Sequence, residues 1–350
     1  MTPGQRNLQS PIAHLQSRIP WPTLLGVVLS IALLWWTLHD VSLREVWGHI
    51  RQVRLAPFAA TIVLATLTFP LRTVRWRYLL RLEGAPLPFV PLWHATAIGF
   101  MANNLLPARA GEVARAYAAR KLTAVPFTQA LASLVVERVL DGIGIVALLT
   151  VAIWAGGFDA TTTVAGIRLV SIVRSAAIVF VAALAAAAIF VHWPGPALRL
   201  ADAWLRRLLP ARWGDKIFAA LEGVVSGLDV LRSPARLLRV GFWTLVVWLV
   251  NAASFWTCLI AFEIDIPASA ALLVQGLIAF GVAVPATPGF WGPWEAACRV
   301  SLALYGVEAS RAVSYAVGYH LFTFIPITVL GLFSLSRAHL HLAELKDSKE

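Results

Sequence analysis

Six apolar runs limit what this chain can fold into more than any other feature of its sequence. They cover about residues 22–39, 55–72, 131–155, 168–192, 239–262 and 311–334. A run of about 20 apolar residues crosses the hydrocarbon core of a bilayer as one α-helix. Because hydrocarbon offers the backbone no hydrogen-bond partner, only helices and closed barrels are stable there. The sequence therefore predicts an all-α fold, a polytopic membrane helix bundle with about six spanning helices.

The low charge of the chain supports one transmembrane domain. Of the 350 residues, 59% are hydrophobic and 13% are charged, whereas soluble domains average about 25% charged residues. No long soluble segment separates the apolar runs, so we expect a single domain over 1–350 without a soluble catalytic domain. It divides into a first half at about 22–192, a cytoplasmic amphipathic linker at about 193–238 and a second half at about 239–335. The first apolar run is too long for a cleaved signal peptide, which predicts a retained first helix.

The basic residues predict an orientation and exclude one class of partner. The formal net charge is +11, an excess that is also typical of nucleic-acid binding. The Lys and Arg residues instead lie beside the apolar runs, where they orient helices and contact anionic lipid head groups at the cytoplasmic face. Those expected in the cytoplasm include Arg72, Arg75, Arg77 and Arg81 after the second run and Arg337 after the last. We therefore expect no nucleic-acid partner, an inner (plasma) membrane location and cytoplasmic N- and C-termini.

The linker contains an amphipathic segment at 217–231. Apolar residues recur there at the spacing of one helix face, from Ile217 to Leu231, while charged residues occupy the other faces. This pattern predicts a helix that lies in the cytoplasmic membrane interface. Packing against other helices of the same chain is the alternative interpretation.

Two shorter apolar segments, at about 88–106 and 270–286, each end in a break that contains proline and glycine. PARAG at 107–111 and PATPG at 285–289 share the pattern P-A-x-x-G, and a short helix with a glutamate follows each. The structural-break residues are Pro107, Gly111, Pro285, Pro288, Gly289 and Gly292. Irregular backbone at membrane depth is tolerated only where it is buried in protein or lines a cavity. The sequence therefore predicts two re-entrant helical hairpins in inverted pseudo-repeats, an arrangement in which the breaks mark a substrate site.

Ionisable and polar residues beside these breaks form the candidate substrate-binding site. A charge at the bilayer centre costs about 2.5–3.5 kcal/mol on the insertion scale, so such groups pair with one another or face a polar ligand. The candidates are Asn103, Arg109, Glu112, Arg115, Glu137, Arg138, Asp141 and Glu295.

The candidates at the first break have a structural and a functional interpretation. Asn103 either caps the broken helix or binds a polar head group. Arg109 and Arg115 flank Glu112, and the structural interpretation is a salt bridge near the membrane interface. In the functional interpretation, the forked guanidinium of Arg109 binds a phosphate.

Glu137, Arg138 and Asp141 lie within about one turn of an otherwise apolar helix. One arginine between two carboxylates leaves net negative charge, so we expect Arg109 or Arg115 to supply another cation. A structural ion network and a ligand- or proton-coupled role are both compatible with this pattern.

The second break carries weaker signals. Glu295 and Arg299 have the i, i+4 spacing of a helical ion pair. Trp291 and Trp294 beside them favour anchoring at the membrane interface over stacking on a ligand. His320 has no second metal ligand at helical spacing, so we expect it to pack or to cap a helix.

Signals of enzyme chemistry are poor. The chain contains no nucleotide-binding glycine loop, no HExxH, no GxSxG and no DxD, the short motifs that would carry such chemistry. Its two cysteines, Cys258 and Cys298, lack the spacing of metal ligands or of a disulfide framework. We expect no enzyme activity, no catalytic residues, no cofactor and no metal site.

Four motifs together resemble the family named after the transmembrane region of lysylphosphatidylglycerol synthase. They are R-W-R-Y-L-L at 75–80, N-x-L-x-P-x-R-x-G-E at 103–112, E-R-x-x-D at 137–141 and P-x-T-P-G-x-x-G-x-x-E at 285–295. Phe290 stands where that family often has a second glycine. The resemblance implies similarity to the lipid-translocating half of those synthases, whose cytoplasmic domain makes a cationic aminoacyl-phospholipid. The synthase domain has no counterpart in the motifs matched here, so aminoacylation is not implied.

Together the residues and the resemblance lead us to expect a lipid flippase or transporter. It would move a polar-headed lipid (a phospholipid, an aminoacyl- or glycolipid, or a polyprenyl-linked lipid) between leaflets through a charged cavity. The alternatives are a membrane glycosyltransferase that uses a polyprenyl-phosphate substrate and a non-transporting subunit of an envelope-lipid assembly. We consider two protein partners for this chain: a second copy in a homo-oligomer, or a lipid-synthesis enzyme.

Overall fold

The computed structural model describes residues 21–80, 87–106, 109–164, 166–208, 210, 214, 218, 233–283 and 287–340. Within these residues the fold is helical, with twelve α-helices and one two-stranded β-hairpin. The helices are α1 (Trp21–Leu38), α2 (Leu43–Arg51), α3 (Leu55–Leu79), α4 (Phe89–Leu105), α5 (Ala110–Thr123), α6 (Phe127–Ala155), α7 (Leu169–His192), α8 (Pro194–Leu208), α9 (Pro234–Ala261), α10 (Ser269–Gly281), α11 (Pro293–Ala303) and α12 (Ala309–Arg337), and the strands are β1 (Thr163–Val164) and β2 (Ile167–Arg168). The predicted all-α polytopic bundle is confirmed.

Length and composition identify the helices that can cross a membrane. Helices α3, α7, α9 and α12 qualify, and α1 with α2, which are bent by 79° relative to each other, make a fifth candidate. The predicted span at 131–155 corresponds to α6, which has 29 residues but contains three charged ones. Helix α7 presents large apolar side chains such as Ile178, Val179 and Val181 to its surroundings. Such a face is suited to lipid rather than to water.

Both predicted breaks separate a shorter apolar helix from a short second helix. Helix α4 packs against α5 across the first break, and α10 packs against α11 across the second. The two parts of the chain also pack on each other, because α3 runs along α9, α4 lies against α12 and α6 lies against α10. This packing brings charged residues of α3, α5 and α6 to one place beside α9.

The second helix ends later than the sequence pattern predicted. Helix α3 continues to Leu79, so that Arg72 and Arg75 lie inside the helix and are buried. Their expected place in a cytoplasmic loop is therefore wrong, and they do not count as orienting charges. A helix can continue here because the two guanidinium groups find carboxylates on α6 instead of water.

Several predicted features lie outside the described residues. These are Pro107, Pro285, Arg81 and, except for Phe218, the amphipathic segment 217–231. Helix α8 occupies the start of the predicted linker and exposes Leu200 and Trp204. The boundaries of the two halves and of the linker stay predictions.

Candidate functional site

Six charged residues meet in the interior of the bundle and form what we call the ion cluster. They are Arg72 and Arg75 of α3, Arg115 of α5, and Glu137, Arg138 and Asp141 of α6. The α6 residues share a helix face because they lie within about one turn, and the packing of α3 and α5 on α6 supplies the rest. Four of the six, Arg115, Glu137, Arg138 and Asp141, are among the residues predicted from the sequence.

Asp141 is the centre of one half of the ion cluster. Arg75 binds it at two points, through Nη1 to Oδ1 and through Nη2 to Oδ2 at 3.3 Å. Arg138 Nη2 lies 3.1 Å and Arg72 Nη1 lies 3.7 Å from Oδ2. The indole Nε1–H of Trp248 on α9 donates to Oδ1 at 2.9 Å. The carboxylate is thus held by groups from three helices.

Glu137 is the centre of the other half and is fully buried. Its Oε1 lies 3.0 Å from Arg115 Nη1, 3.1 Å from Arg75 Nη2 and 2.5 Å from Arg138 Nη2. Its Oε2 is buried and has no hydrogen-bond partner among the described residues. The predicted cation is therefore Arg115, and Arg75 adds a second one that the sequence analysis missed.

Aromatic rings complete the surroundings of two of the arginines. The guanidinium carbon of Arg115 lies 3.9 Å from the ring centre of Trp76, and that of Arg72 lies 5.2 Å from Trp248 and 5.6 Å from Phe100. The face of an aromatic ring attracts a cation electrostatically and does not need water to do so. Such a contact suits a guanidinium group inside a membrane protein. Of these groups only Trp76 belongs to the 75–80 motif, and both arginines lie outside it.

The ion cluster has more positive than negative charge. Four guanidinium groups face two carboxylates, which leaves two positive charges in excess; Arg109 and Glu112 nearby carry one charge of each sign. The expected surplus of negative charge on α6 is therefore reversed in the folded protein. Arg138 is the accessible member, with 43% of its side chain exposed, whereas the side chains of the others are at most 10% exposed.

Arg109 joins the two breaks. It is the N-cap of α5 and adopts a left-handed backbone conformation with φ 51°. Its Nη2 donates to the carbonyl of Val282, where α10 ends, and its guanidinium lies 5.6 Å from the ring of Phe290. The first break is thereby held to the second. The proposed phosphate contact of Arg109 stays a prediction.

Asn103 and Gly111 hold α4 and α5 close together. The Asn103 carboxamide oxygen accepts a hydrogen bond from the backbone N–H of Gly111 at 2.8 Å. A Cβ on Gly111 would lie 2.1 Å from the carbonyl oxygen of Gly99. This contact of Asn103 corresponds to helix capping, the first of its two predicted roles.

Glu112 does not pair with Arg115 as the i, i+3 spacing suggested. Arg115 points to Glu137 instead, and Glu112 Oε2 is buried without a hydrogen-bond partner among the described residues. Glu112 still lies near enough to Arg109 and Arg138 to interact electrostatically with both.

The second break contains three residues with left-handed backbone. They are Gly289 (φ 72°), Phe290 (φ 62°) and Gly292 (φ 98°). Phe290, at the position where the resemblance implies a glycine, occupies a conformation that glycine adopts without strain. A Cβ on Gly292 would lie 2.3 Å from the carbonyl oxygen of Ser30, so glycine is needed here for the approach of α1.

Glu295 pairs with His320 and not with Arg299. Its Oε1 lies 2.6 Å from His320 Nδ1, and its Oε2 accepts the N–H of Gly292 at 2.7 Å. Trp291 stacks on the imidazole at 4.2 Å between ring centres. Arg299 contacts Asp40 at 2.6 Å instead, so the predicted i, i+4 pair is wrong.

The hydrogen bonds of Arg299 hold the pKa of Asp40, in the loop after α1, below the ordinary value.

Little else in the described ranges resembles a site for chemistry. Cys258 and Cys298 are buried free thiols. Across these ranges no group of three or more His, Cys, Asp or Glu side chains is arranged to hold a metal ion.

Comparisons with known proteins agree with the motifs. The family model described as the lysylphosphatidylglycerol synthase transmembrane region matches residues 23–331. A protein named glycosyltransferase AglD of Haloferax volcanii is 30% identical over 322 residues, which cover 85% of this chain but 51% of that protein. Two proteins of Methanothermobacter thermautotrophicus named UPF0104 membrane protein are 24% and 23% identical, and the matches cover 88% and 79% of this chain and 90% and 82% of theirs. The chain thus spans about half the length of the first relative and most of the other two.

Proposed function

Because this multi-pass membrane protein belongs to the family of the lysylphosphatidylglycerol synthase transmembrane region, we propose that it moves a polar-headed lipid between the leaflets of the inner membrane. It acts as a transporter without enzyme activity, with both termini in the cytoplasm. The observation that carries this proposal is the ion cluster, in which buried charges from three helices meet among apolar helices.

The ion cluster suits a lipid substrate because only the head group needs polar partners. The acyl chains of a moving lipid can stay in hydrocarbon, while the head group must exchange water for other polar contacts. Arg138 combines an exposed guanidinium with contacts to both buried carboxylates. A head group that reaches Arg138 therefore meets the edge of the ion cluster without unfolding its interior.

The contact of Arg109 with Val282 gives the two breaks a means of acting together. Broken helices at corresponding positions are where transporters bind substrate and change conformation. Arg109 is exposed and contributes one backbone contact and one ring contact to the second break. Release of these contacts would let the helix pair α4 and α5 move away from the helix pair α10 and α11. Formation of the contacts would close the route of the lipid head group between the two pairs.

The test is the transbilayer movement of fluorescent lipids in proteoliposomes that contain the purified full chain. We expect wild-type protein to move lipid, Arg138→Gln and Arg109→Ala to lose most of that movement, and Arg174→Gln to retain it. Arg174 is a matched control, because it is an exposed arginine of α7 outside the ion cluster. Absence of movement for phospholipid, aminoacyl-lipid and polyprenyl-linked probes alike would exclude the proposal.

A glycosyltransferase is the second candidate, and the 30% identity to a protein named glycosyltransferase is the observation that favours it. The match covers only 51% of that protein, so its activity need not reside in the matched part. Incubation of the purified chain with polyprenyl phosphate, nucleotide sugars and a divalent metal distinguishes the two. Formation of a glycosylated lipid would favour the enzyme, and its absence together with lipid movement would favour the transporter.

A further inference from the structure

The excess of arginine in the ion cluster points to the charge of its ligand. Four guanidinium groups and two carboxylates lie together, and the side chains of Arg72, Arg75 and Arg115 are each at most one-tenth exposed. An uncompensated charge away from water is strongly unfavourable unless another charge or a hydrogen-bonding ligand neutralises it. A ligand with negative charge would remove the excess, and a ligand with positive charge would increase it.

Hydrogen-bond donors without partners identify the same chemistry. Arg75 Nε is buried and makes no hydrogen bond to the described residues, and the same holds for Nε and Nη2 of Arg115. Stacking on Trp76 satisfies part of the Arg115 guanidinium but provides no acceptor. Buried N–H groups in folded proteins nearly always have acceptors. Phosphate oxygens match the fork of a guanidinium in geometry and charge.

Arg138 supplies the accessible side of this site. Both of its carboxylate contacts, to Glu137 at 2.5 Å and to Asp141 at 3.1 Å, use Nη2. No contact of its Nε or Nη1 is found among the described residues, so both can bind a second acceptor at the exposed edge. Glu137 Oε2, which has no partner among the described residues, would accept a proton donor of the ligand, such as a protonated phosphate oxygen.

We propose that the ion cluster binds the phosphate of a lipid whose head group has net negative charge, with a phosphomonoester or a diphosphate as the preferred class. Arg138 meets the phosphate first, and Arg115 and Arg75 provide the surrounding positive field. This inference rests on the proposed function only in taking the ligand to be a lipid. It differs from the cationic aminoacyl-lipid that the family name suggests, because an added ammonium group would increase the excess positive charge.

The experiment measures lipid binding to the purified full chain in detergent by native mass spectrometry. The probes share the same acyl chains and differ only in the head group: phosphatidic acid, phosphatidylcholine and lysyl-phosphatidylglycerol, with sodium phosphate as the probe without tails. We expect phosphatidic acid to bind at least about tenfold more tightly than the other two lipids, an effect of the size expected from charge-assisted hydrogen bonds. Equal binding of the three lipids, or preference for the cationic one, would overturn the proposal. So would binding of inorganic phosphate without binding of phosphatidic acid.

Variants assign the preference to the ion cluster. Arg138→Gln is expected to reduce the preference for phosphatidic acid about tenfold, and Arg138→Lys, which keeps the charge but loses the fork, to reduce it less. Arg174→Gln should leave it unchanged. Size-exclusion chromatography and helical circular dichroism verify that each variant is folded. A preference that survives Arg138→Gln would overturn the proposal, whereas selective binding without transbilayer movement would leave it intact and reject only transport.

Discussion

Arg75 and Asp141 form a two-point ion pair that joins α3 to α6 in the interior of the bundle, although 66 residues separate them in sequence. The side chain of Arg75 is fully buried, and its Nη1 also donates to the hydroxyl of Thr244 on α9 at 3.3 Å. The same Asp141 carboxylate accepts the Trp248 indole N–H. This pair therefore holds three helices together, and its loss would affect all of them.

Removal of Asp141 should destabilise the protein strongly. Asp141→Asn leaves an excess of three positive charges in the ion cluster, and loss of one partner of a buried ion pair costs about 3–5 kcal/mol. Denaturant titration in detergent micelles measures the change in the free energy of unfolding. Arg72→Met lowers the excess to one charge, so we expect it to cost less than Asp141→Asn. Equal losses from both variants would contradict the charge balance that we describe.

Gly292 should tolerate alanine far less well than Gly306, although both have positive φ values of 98° and 73°. Backbone strain alone costs about 1–2 kcal/mol for an L-residue in the left-handed α region, and Gly292, with φ 98° and ψ −70°, lies outside even that region. A Cβ at Gly292 would also lie 2.3 Å from the Ser30 carbonyl oxygen, whereas at Gly306 nothing lies within 4 Å. We expect Gly306→Ala to show the strain alone and Gly292→Ala to show an additional loss, measured by thermal unfolding. Equal effects would exclude the close approach of α1.

The contact between Asp40 and Arg299 should weaken in acid. Arg299's hydrogen bonds hold the pKa of Asp40 below the ordinary value of 3.8, so the contact is complete above that pH and is lost as the pH falls through the depressed pKa. Arg299 Nη1 also donates to the carbonyl of Thr37 at 2.7 Å, which keeps the effect local. The protection of backbone amides at the end of α1, taken relative to intrinsic exchange at each pH, should decrease below about pH 3.8 in wild type. Asp40→Asn should show the reduced protection at all pH values, and wild-type protection that does not change with pH would refute the contact.

Glu295→Gln should destabilise the second break. The carboxylate accepts the Gly292 N–H and contacts His320, and a neutral amide serves both partners less well. Hydrogen bonds to charged groups contribute about 1.5–3 kcal/mol each, so a loss in this range is expected in chemical unfolding. A double-mutant cycle separates the partners: Glu295→Gln should couple to His320→Ala and be additive with Arg299→Gln to within about 0.5 kcal/mol. Coupling to Arg299 instead would restore the helical pair that the spacing suggested.

Sequence patterns among neighbouring residues predicted the local structure well. The apolar runs predicted the helices α1, α7, α9 and α12 closely, because burial in hydrocarbon depends on length and composition. They predicted where α3 begins but not where it ends. Proline and glycine located both breaks, since these residues act on the local backbone. The α6 carboxylates indicated an ion cluster because isolated charges are not stable at that depth.

Pairings between distant residues escaped the sequence analysis for a common reason. Helical periodicity tells which side chains share a face but not which helix covers that face. The charge pattern predicts a loop position for Arg75, although the packing of α3 on α6 buries it against Asp141. Glu295 and Arg299 have suitable spacing, but His320 and Asp40 lie closer to their charged groups.

The helical membrane fold, the positions of the two breaks and the presence of buried charge can all be predicted from the order of the residues. These follow from local chemistry: hydrocarbon excludes unpaired backbone, and proline and glycine interrupt helices wherever they occur. The sign of the ion cluster follows from the packing of helices, because two arginines of α3 turn the expected balance of charge into a positive excess. The same packing decided that Arg109 of the first break contacts Val282 at the second. Charge balance and contacts between breaks depend on which helices pack together, and that is a property of the whole chain.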